Sequence, residues 1–331
     1  MLKTAIVGLG WWGRQIVTSL DGSERIDLVR AVDPDLDSVR TFADAHGLVL
    51  SPRFEDALDD PAVEAVILAT PHGLHEDQVL RAAAAGKQIF CEKPLALSGE
   101  AAARMIDACD KAGIVLGIGH ERRYEGAMEE LARMVAASEL GTLLHLEINW
   151  SHNLFAGNPS LGWRQDPSQA PAGTLTALGV HMTDYMQTLA GPVAYLTAAT
   201  ADRSPDYPGN DIILIQFEFA NGVSASLCSV ATTPFYQRIS VFGDRGWAEI
   251  RETTNVDDPA PAHLTWRGMD MKIETREYPH ADTVATNLDA WAAAVAGTQP
   301  YRFTDFEKLH NVQILEAIVR SAANHTRQKV T

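Results

Sequence analysis

The chain has 331 residues, of which 46% are hydrophobic and 21% charged, and its formal net charge is −16. This length favours two domains, and the composition is that of a globular protein. The acidic excess disfavours binding to nucleic acid or anionic membranes, because both depend on Lys and Arg. The three cysteines form no CxxC pair, and we find no signal-peptide pattern and no apolar run of bilayer length, so we expect a cytoplasmic protein.

Short apolar segments alternate with helical patterns up to about residue 120. We expect strands over 4–7, 27–32, 63–69, 88–91 and 114–117, and helices over 13–20, 37–45, 75–85 and 98–111. This alternation predicts a doubly wound α/β domain over residues 1–120.

Strand-like segments with few helices follow. We expect strands over 143–150, 193–200, 211–219, 223–230, 238–242 and 247–250, and helices over 126–137, 174–189, 284–295 and 306–324. Asn221-Gly222 is a hairpin signal between two of these strands. The pattern predicts an α+β domain over 121–331 with a large, mainly antiparallel open sheet. Alternation over 211–230 leaves one face rich in apolar side chains, which favours a homodimer or homotetramer.

A dinucleotide-binding motif follows the first strand. Gly8, Gly10 and Gly13 match G-x-G-x-x-G and open a helix, and Trp11 and Trp12 between them are further candidate cofactor contacts. Asp33 ends the second strand, 20 residues after Gly13. A carboxylate there accepts hydrogen bonds from ribose hydroxyls and repels a 2′-phosphate, so we expect a Rossmann domain that binds NAD, with NADP disfavoured. The alternative is a glycine turn in an unrelated α/β protein.

A lysine lies at the end of the strand over 88–91, in the sequence Glu92-Lys93-Pro94. Ligands of parallel sheets bind at the carboxyl ends of strands, where Lys93 could orient a hydroxyl group or take part in its proton transfer. Taken alone, such a lysine is more often a solvated surface residue.

These motifs together resemble the glucose–fructose oxidoreductase/inositol dehydrogenase (Gfo/Idh/MocA) family. The segments that carry the resemblance are GLGWWG at 8–13, ATPHGLH at 69–75, AGKQIFCEKPLAL at 85–97, GHERRY at 119–124, GVHMTD at 179–184 and VFGDRGWAEI at 241–250. The resemblance implies a Rossmann domain followed by an open sheet, with one sheet face over the active site and the other commonly forming the oligomer interface. It also implies hydride transfer between nicotinamide and a carbinol or carbonyl of a sugar, polyol or related small molecule.

The resemblance assigns roles to individual residues. It implies that Lys93 and His181 are catalytic, with Lys93 touching both the nicotinamide ribose and the reacting oxygen. It also places Glu92, Thr70, Pro71 and His75 in the cofactor site. A histidine suits acid–base work near neutral pH. Without the resemblance, a helix histidine packed in the core would be the leading interpretation of His181.

One position departs from the family pattern. The aspartate expected four residues before His181 is Ala177, which can neither accept a proton nor hold a substrate hydroxyl. Either His181 and Lys93 suffice, or another carboxylate replaces it. Glu121, just past a strand end, is one candidate, and Asp184 could instead orient His181 from one helical turn away.

The long segment 152–172 precedes the His181 helix and is a candidate wall of the substrate pocket. Its candidate substrate contacts are His152, Asn153, Trp163 and Arg164; Glu121 and Tyr236 are further candidates. Trp163 could stack on a sugar face, and Arg164 could bind a carboxylate or hydroxyls. The alternative is a lid that only excludes water, or plain packing.

Two other functions stay open: a glycosidase that uses tightly bound NAD for transient oxidation, and a non-catalytic dinucleotide-binding regulator. We expect no metal site, because His72 and His75 lack further ligands at zinc spacing. No G-x-S-x-G elbow is present, which disfavours a serine hydrolase.

Overall fold

The computed structural model describes residues 1–153, 166, 169–171, 175–204, 210–253 and 260–331. The chain divides into two compact units. The first comprises Met1–Glu121 and Asp282–Val312, and the second comprises Arg122–Ala281 and Gln313–Thr331. Within the described ranges, no helix combines the length and the apolar character needed to cross a bilayer.

A six-stranded parallel sheet forms the centre of the first unit. Its strands are β1 (Leu2–Val7), β2 (Ile26–Val32), β3 (Val49–Ser51), β4 (Ala65–Leu68), β5 (Gln88–Cys91) and β6 (Leu116–Ile118). They lie in the order β3-β2-β1-β4-β5-β6, and every neighbouring pair is parallel. The order reverses between β1 and β4, and the carboxyl ends of the strands at such a reversal are where ligands bind in this class of sheet.

Helices connect these strands, which confirms the predicted α/β class. They are α1 (Trp11–Ser19), α2 (Leu36–Ala45), α3 (Glu55–Leu58), α4 (His75–Ala84) and α5 (Gly99–Ala112). The ends of α5 show why the helix forms where it does. The Ser98 hydroxyl accepts a hydrogen bond from the Ala101 N–H, and Gly113 ends the helix in the left-handed region with φ of 67°.

The second unit is built on a nine-stranded sheet. Its strands are β7 (Leu143–Ser151), β8 (Val193–Ala201), β9 (Ile212–Phe219), β10 (Ser224–Val230), β11 (Tyr236–Gly243), β12 (Gly246–Glu252), β13 (Ala262–Gly268), β14 (Ile273–Tyr278) and β15 (Gln328–Lys329). The order is β14-β13-β12-β11-β7-β10-β9-β8-β15. The β7–β10 pair is parallel and the other neighbours are antiparallel, as predicted for a mainly antiparallel sheet.

One face of this sheet forms the core of the second unit with α6 (Gly126–Ala136) and α7 (Val180–Ala190). Alternate residues of β9, namely Ile213, Ile215, Phe217 and Phe219, are buried in that core. The expected hairpin joins β9 to β10, with Gly222 at φ of 89°. The periodicity of two therefore places the apolar side chains of these strands on a single face.

The last two helices are α8 (Thr283–Val295) and α9 (Asp305–Asn324). Residues 282–312, which the sequence analysis assigns to the second domain, belong to the first unit. Asn287 donates a hydrogen bond to the Ile118 carbonyl at 2.8 Å, and Lys308 donates to the Leu116 carbonyl at 2.8 Å. These bonds satisfy carbonyl groups of β6, the edge strand, and explain why the segment returns to the first sheet.

Candidate cofactor and active site

The loop between β1 and α1 has no room for side chains at two glycines. Gly8 has φ of 92°, and a β-carbon there would lie 2.7 Å from the Ala69 carbonyl oxygen. A β-carbon on Gly13 would overlap the carbonyl oxygen of Gly8. Gly10 is the N-cap of α1 and supplies no capping side chain, so the first N–H groups of that helix are available to bind an anion. This geometry fits the pyrophosphate of a dinucleotide.

A groove of about 630 Å³ lies beside this loop. It is lined by Leu9, Gly10, Trp11, Arg14, Gln15, Thr18, Asp33, Asp35, Ser38, Val39 and Phe42. Asp33 joins two loops at its edge, accepting hydrogen bonds from the Leu9 N–H at 2.8 Å and the Asp35 N–H at 3.0 Å. A carboxylate has further lone pairs, so Asp33 can still accept bonds from ribose hydroxyls.

Arg14 is fixed along the same groove. Its Nε donates to the Leu9 carbonyl at 3.0 Å and its Nη2 donates to the Ser38 carbonyl at 2.9 Å. Its guanidinium carbon lies 5.5 Å from the centroid of the Phe42 ring. The guanidinium is therefore held in one orientation, and its flat cationic group lines the groove.

The segment after β4 is tied to the segment after β5 by a buried histidine. The Nδ1 atom of His75 lies 3.0 Å from the Pro94 carbonyl oxygen, and its Nε2 atom lies 3.1 Å from the Thr70 carbonyl oxygen. Burial lowers the pKa of His75, and the ring has no exposed surface. Its geometry is thus that of a residue that holds the two loops. The Thr70 hydroxyl also donates to Gln78 at 2.6 Å, and Pro71 precedes the 3₁₀ turn at the start of α4.

Two interacting carboxyl groups, those of Glu92 and Glu121, are buried in the first unit, and Glu92 directly precedes Lys93. The Lys93 N–H donates to Glu92 Oε2 at 3.2 Å, and the Glu92 carboxylate occupies the space above Gly119. Glu92 and Glu121 are 6% and 4% exposed. Burial raises the pKa of Glu92 to about 7; the charge of Glu121 adds to this rise, and Lys93 opposes it. The first unit therefore carries a carboxyl group that titrates near neutral pH next to the candidate catalytic lysine.

His181 is the second residue of α7 in the second unit. The predicted continuous helix over 174–189 is in fact a π-helical turn, Leu175–Gly179, followed by α7, and Ala177 lies in that turn. Such turns occur frequently at functional sites. The His181 ring is 4% exposed, and its centroid lies 5.9 Å from that of the Trp150 ring.

A buried arginine contacts the same indole. The guanidinium carbon of Arg122 lies 4.6 Å from the Trp150 ring centroid. Arg122 Nη1 donates to Glu252 Oε2 at 2.7 Å and also to Glu125. The charge of this cation is therefore matched by carboxylates on two other segments of the second unit.

Asp184, considered above as a partner for His181, is engaged by a different residue. Arg123 donates to both of its carboxylate oxygens at 2.6 Å, and both side chains are buried. This bidentate pair joins α7 to the 3₁₀ turn Glu121–Tyr124. Its role is consequently to hold α7 in place.

The structure places the candidate substrate residues in different environments. The His152 ring lies edge-on to Phe235 at 5.4 Å between centroids, and Asn153 is exposed. Tyr236 precedes Gln237, which pairs with Trp150 in the sheet. Because side chains alternate along a strand, Tyr236 points to the face opposite Trp150 and is not brought to His181. Trp163 and Arg164 lie outside the described residues.

Three residues of the site were missed in the sequence: Arg14, Arg122 and Trp150. A basic residue directly after Gly13 was a usable signal for Arg14. The sequence carried no comparable signal for Trp150, since an apolar residue in a strand predicts only burial.

Two sequence models of one oxidoreductase family match the chain. The model described as "Oxidoreductase family, NAD-binding Rossmann fold" (GFO_IDH_MocA) matches residues 2–120. The model of the GFO/IDH/MocA C-terminal domain matches residues 128–249. Together they match both the parallel-sheet and the antiparallel-sheet parts of the chain.

Individual relatives align over nearly the whole length. D-xylose 1-dehydrogenase (NADP(+)) 2 of Haloferax volcanii is 28% identical over 323 residues, covering 97% of this chain and 96% of its own. The 1,5-anhydro-D-fructose reductase of Ensifer adhaerens is 27% identical over 98% of this chain and 97% of its own. The crystal structure of aldose-aldose oxidoreductase from Caulobacter crescentus, complexed with glycerol, superposes with a TM-score of 0.88 at 26% identity, covering 99% of each chain.

Proposed function

The chain belongs to the GFO/IDH/MocA family of NAD(P)-dependent oxidoreductases, and from this premise we propose that it oxidises a hydroxyl group of a sugar or polyol with NAD⁺. One observation carries the proposal. Lys93 follows the carboxyl end of β5, and the glycine loop follows the carboxyl end of β1. Only β4 lies between these two parallel strands, so both segments lie at the same end of the sheet. The carboxyl ends of the strands are where a parallel sheet of this kind brings cofactor and substrate together.

The residues of the first unit fit a nicotinamide dinucleotide. The close approach at Gly8 and Gly13 and the amino end of α1 suit the pyrophosphate, and Asp33 suits the ribose hydroxyls. The segment from Thr70 to Pro71 would lie along the cofactor, and His75 would act through the loops that it holds. A nicotinamide dinucleotide bound by these residues would supply the acceptor for the hydride that leaves the substrate carbon.

The protein's side chains would remove the proton from the substrate hydroxyl and stabilise the charge that develops on its oxygen. Lys93, as a cation, would stabilise the developing negative charge on the substrate oxygen and lower the pKa of the hydroxyl. His181 would accept the proton, which requires its ring nitrogen within about 3 Å of that oxygen. Since Ala177 cannot share this work, the assignment gives His181 the role of base.

We favour NAD(H) over NADP(H). Asp33 is followed by Pro34 and Asp35, so neither a basic nor a hydroxyl side chain directly follows it to receive a 2′-phosphate. Arg14 does line the groove, but two of its N–H groups donate to backbone carbonyls. A comparison of kcat/KM for the two cofactors tests this preference, and a clear NADP preference would contradict it.

The substrate class is supported by the names of the relatives, which include a xylose dehydrogenase and an anhydrofructose reductase. These names do not favour the alternatives of an NAD-retaining glycosidase or a non-catalytic regulator. We also propose a cytoplasmic homodimer or homotetramer, which the family resemblance supports. The apolar side chains of β9 do not supply this interface as the sequence predicted, because they are buried in the core of their own unit. The three free cysteines support a reducing compartment.

A panel of sugars, polyols, sugar acids and glycosides, assayed for NADH formation from NAD⁺, tests the function. We expect stoichiometric NADH with at least one sugar or polyol. Cleavage of a glycoside without net NADH would identify the glycosidase instead. Binding of NAD⁺ with no turnover of any compound would support the regulator.

A further inference from the structure

The Trp150 indole, in the second unit, packs against both the His181 ring and the Arg122 guanidinium. Its ring is 2% exposed and contacts both the His181 imidazole, at 5.9 Å between centroids, and the Arg122 guanidinium, at 4.6 Å. An aromatic ring over a cation and a second ring beside it are each attractive arrangements. The indole therefore has a defined place, and so does the histidine ring packed on it.

Arg122 is itself fixed. Its side chain is 4% exposed, and the guanidinium donates to Glu252, at the end of β12, and to Glu125, before α6. Burial opposes ionisation of Glu252, but the charge of Arg122 holds the pKa of that carboxyl below its usual value. The ion pair is thus maintained at neutral pH, and the cation cannot leave the indole without breaking it.

We propose that Trp150, held in place by Arg122, is the positioning residue that orients the His181 ring for proton transfer. The proposal rests on the proposed function, in which His181 is the base. A base transfers a proton only when its nitrogen is correctly directed, and a small misplacement can cost about 100-fold in rate. His181 follows a π-helical turn that contains Ala177, so no carboxylate at that position can orient the ring. The indole surface takes over this task.

Trp150 acts through His181 and does not contact the substrate in this account. Its low exposure in the described structure agrees with a supporting role. A residue that acts only through His181 must lose its effect on rate when His181 is absent. This requirement separates the proposal from a general contribution to folding.

The experiment uses the full enzyme with its best substrate. We expect Trp150→Leu to lower kcat by about 10–100-fold while KM and the NAD⁺ dissociation constant change less, because the misplaced base slows only the proton transfer. Trp150→Phe keeps an aromatic surface and should retain kcat within about 3-fold. Trp266→Leu is the matched control, since Trp266 also lies beside an arginine, Arg276 at 5.7 Å, in the same unit. Its kcat should stay near the wild-type value.

A double-mutant cycle gives the decisive readout. Adding Trp150→Leu to His181→Ala should cause little further loss of kcat. Equal losses in both backgrounds would overturn the proposal, as would a Trp150→Leu enzyme with wild-type kcat. If Trp150→Leu does not fold, Arg122→Lys replaces it in the cycle, because lysine keeps the charge but removes the planar group from the indole.

NMR of the His181 ring separates failure of this proposal from failure of the proposed function, because it needs no turnover. We expect the ring resonances to shift and broaden in Trp150→Leu and to be unchanged in Trp266→Leu. An unchanged His181 signal in Trp150→Leu would overturn the positioning role even if His181 is the base. A His181→Ala enzyme with normal kcat would instead refute the proposed function itself.

Discussion

The carboxylate of Glu92 fills the space above Gly119, where a β-carbon would lie 2.6 Å from the Glu92 Cδ atom. Glycine at position 119 is therefore a condition for the buried position of Glu92. We expect Gly119→Ala to lower the free energy of unfolding by about 1–3 kcal/mol, because the carboxylate must move out of a packed site. Urea unfolding measures this, with Gly10→Ala as the control, since nothing lies within 4 Å of a β-carbon there. Equal effects of the two substitutions would contradict the prediction.

The raised pKa of Glu92 makes stability depend on pH. Burial first, and then Glu121, raise this pKa from 4.5 to about 7 in the folded chain. The folded state therefore binds the proton more tightly than the unfolded state. The stabilisation from this group is complete below pH 4.5 and is lost as pH rises through about 7.

Glu92→Gln removes this titration and keeps the side-chain size. As the pH rises from about 5 to about 8, the free energy of unfolding of the wild type falls because Glu92 must ionise in a buried site. We expect this fall to be about 2–3 kcal/mol smaller in Glu92→Gln. Glu100→Gln is the control, because the Glu100 side chain is 90% exposed. Identical pH dependence in the wild type and Glu92→Gln would mean that Glu92 has an ordinary pKa.

Arg14 provides a test of how the cofactor is held. Because its guanidinium is fixed by two carbonyls along the groove, we expect it to stack on the adenine base and not to select a 2′-phosphate. Arg14→Gln should then weaken binding of NAD⁺ and NADP⁺ by the same factor, about 3–10-fold. Calorimetric titration measures both, and Arg25→Gln, at an exposed arginine, controls for the change of charge. A loss confined to NADP⁺ would show a phosphate-binding arginine.

His75 links the loops after β4 and β5 through the Thr70 and Pro94 carbonyls. We expect His75→Ala to lower the free energy of unfolding by about 1–3 kcal/mol, because buried carbonyl groups lose their partner. It should also lower kcat, because Lys93 directly precedes Pro94. His46→Ala is the control, since His46 is half-buried and its Nδ1 atom lies 2.9 Å from the carbonyl oxygen of Phe42, one helical turn earlier in the chain, so this hydrogen bond links no separate loops. A fully active His75→Ala enzyme would contradict this role.

The features that sequence reasoning predicts well are contiguous. The glycine motif at 8–13 and the alternation in β9 each depend on neighbouring residues, and the structure has both. The sequence did not predict β14, because five of its six residues are exposed and it therefore lacks an alternating apolar pattern; the exposed residues are 273–277. The parallel pairing of β7 with β10 was also missed, since local alternation does not specify which strands become neighbours.

For the same reason, only part of the site could be predicted from the sequence. Glu92 and Lys93 are adjacent in the chain and follow a strand, so their position at the sheet edge could be predicted. The contact of Arg122 with Trp150 joins a 3₁₀ turn to a strand, and the Arg123–Asp184 pair joins that turn to α7. Such contacts depend on tertiary packing, which a single sequence does not reveal.

The acid–base assignment is tested most directly by kcat for NAD⁺ reduction in His181→Ala with the best substrate. Losing a positioned base typically costs about 10²–10⁴-fold in rate, and we expect a fall of that size with little change in NAD⁺ affinity. Near-normal kcat in His181→Ala would contradict the account, and Glu121, buried beside Glu92, would then be the residue to test as the base.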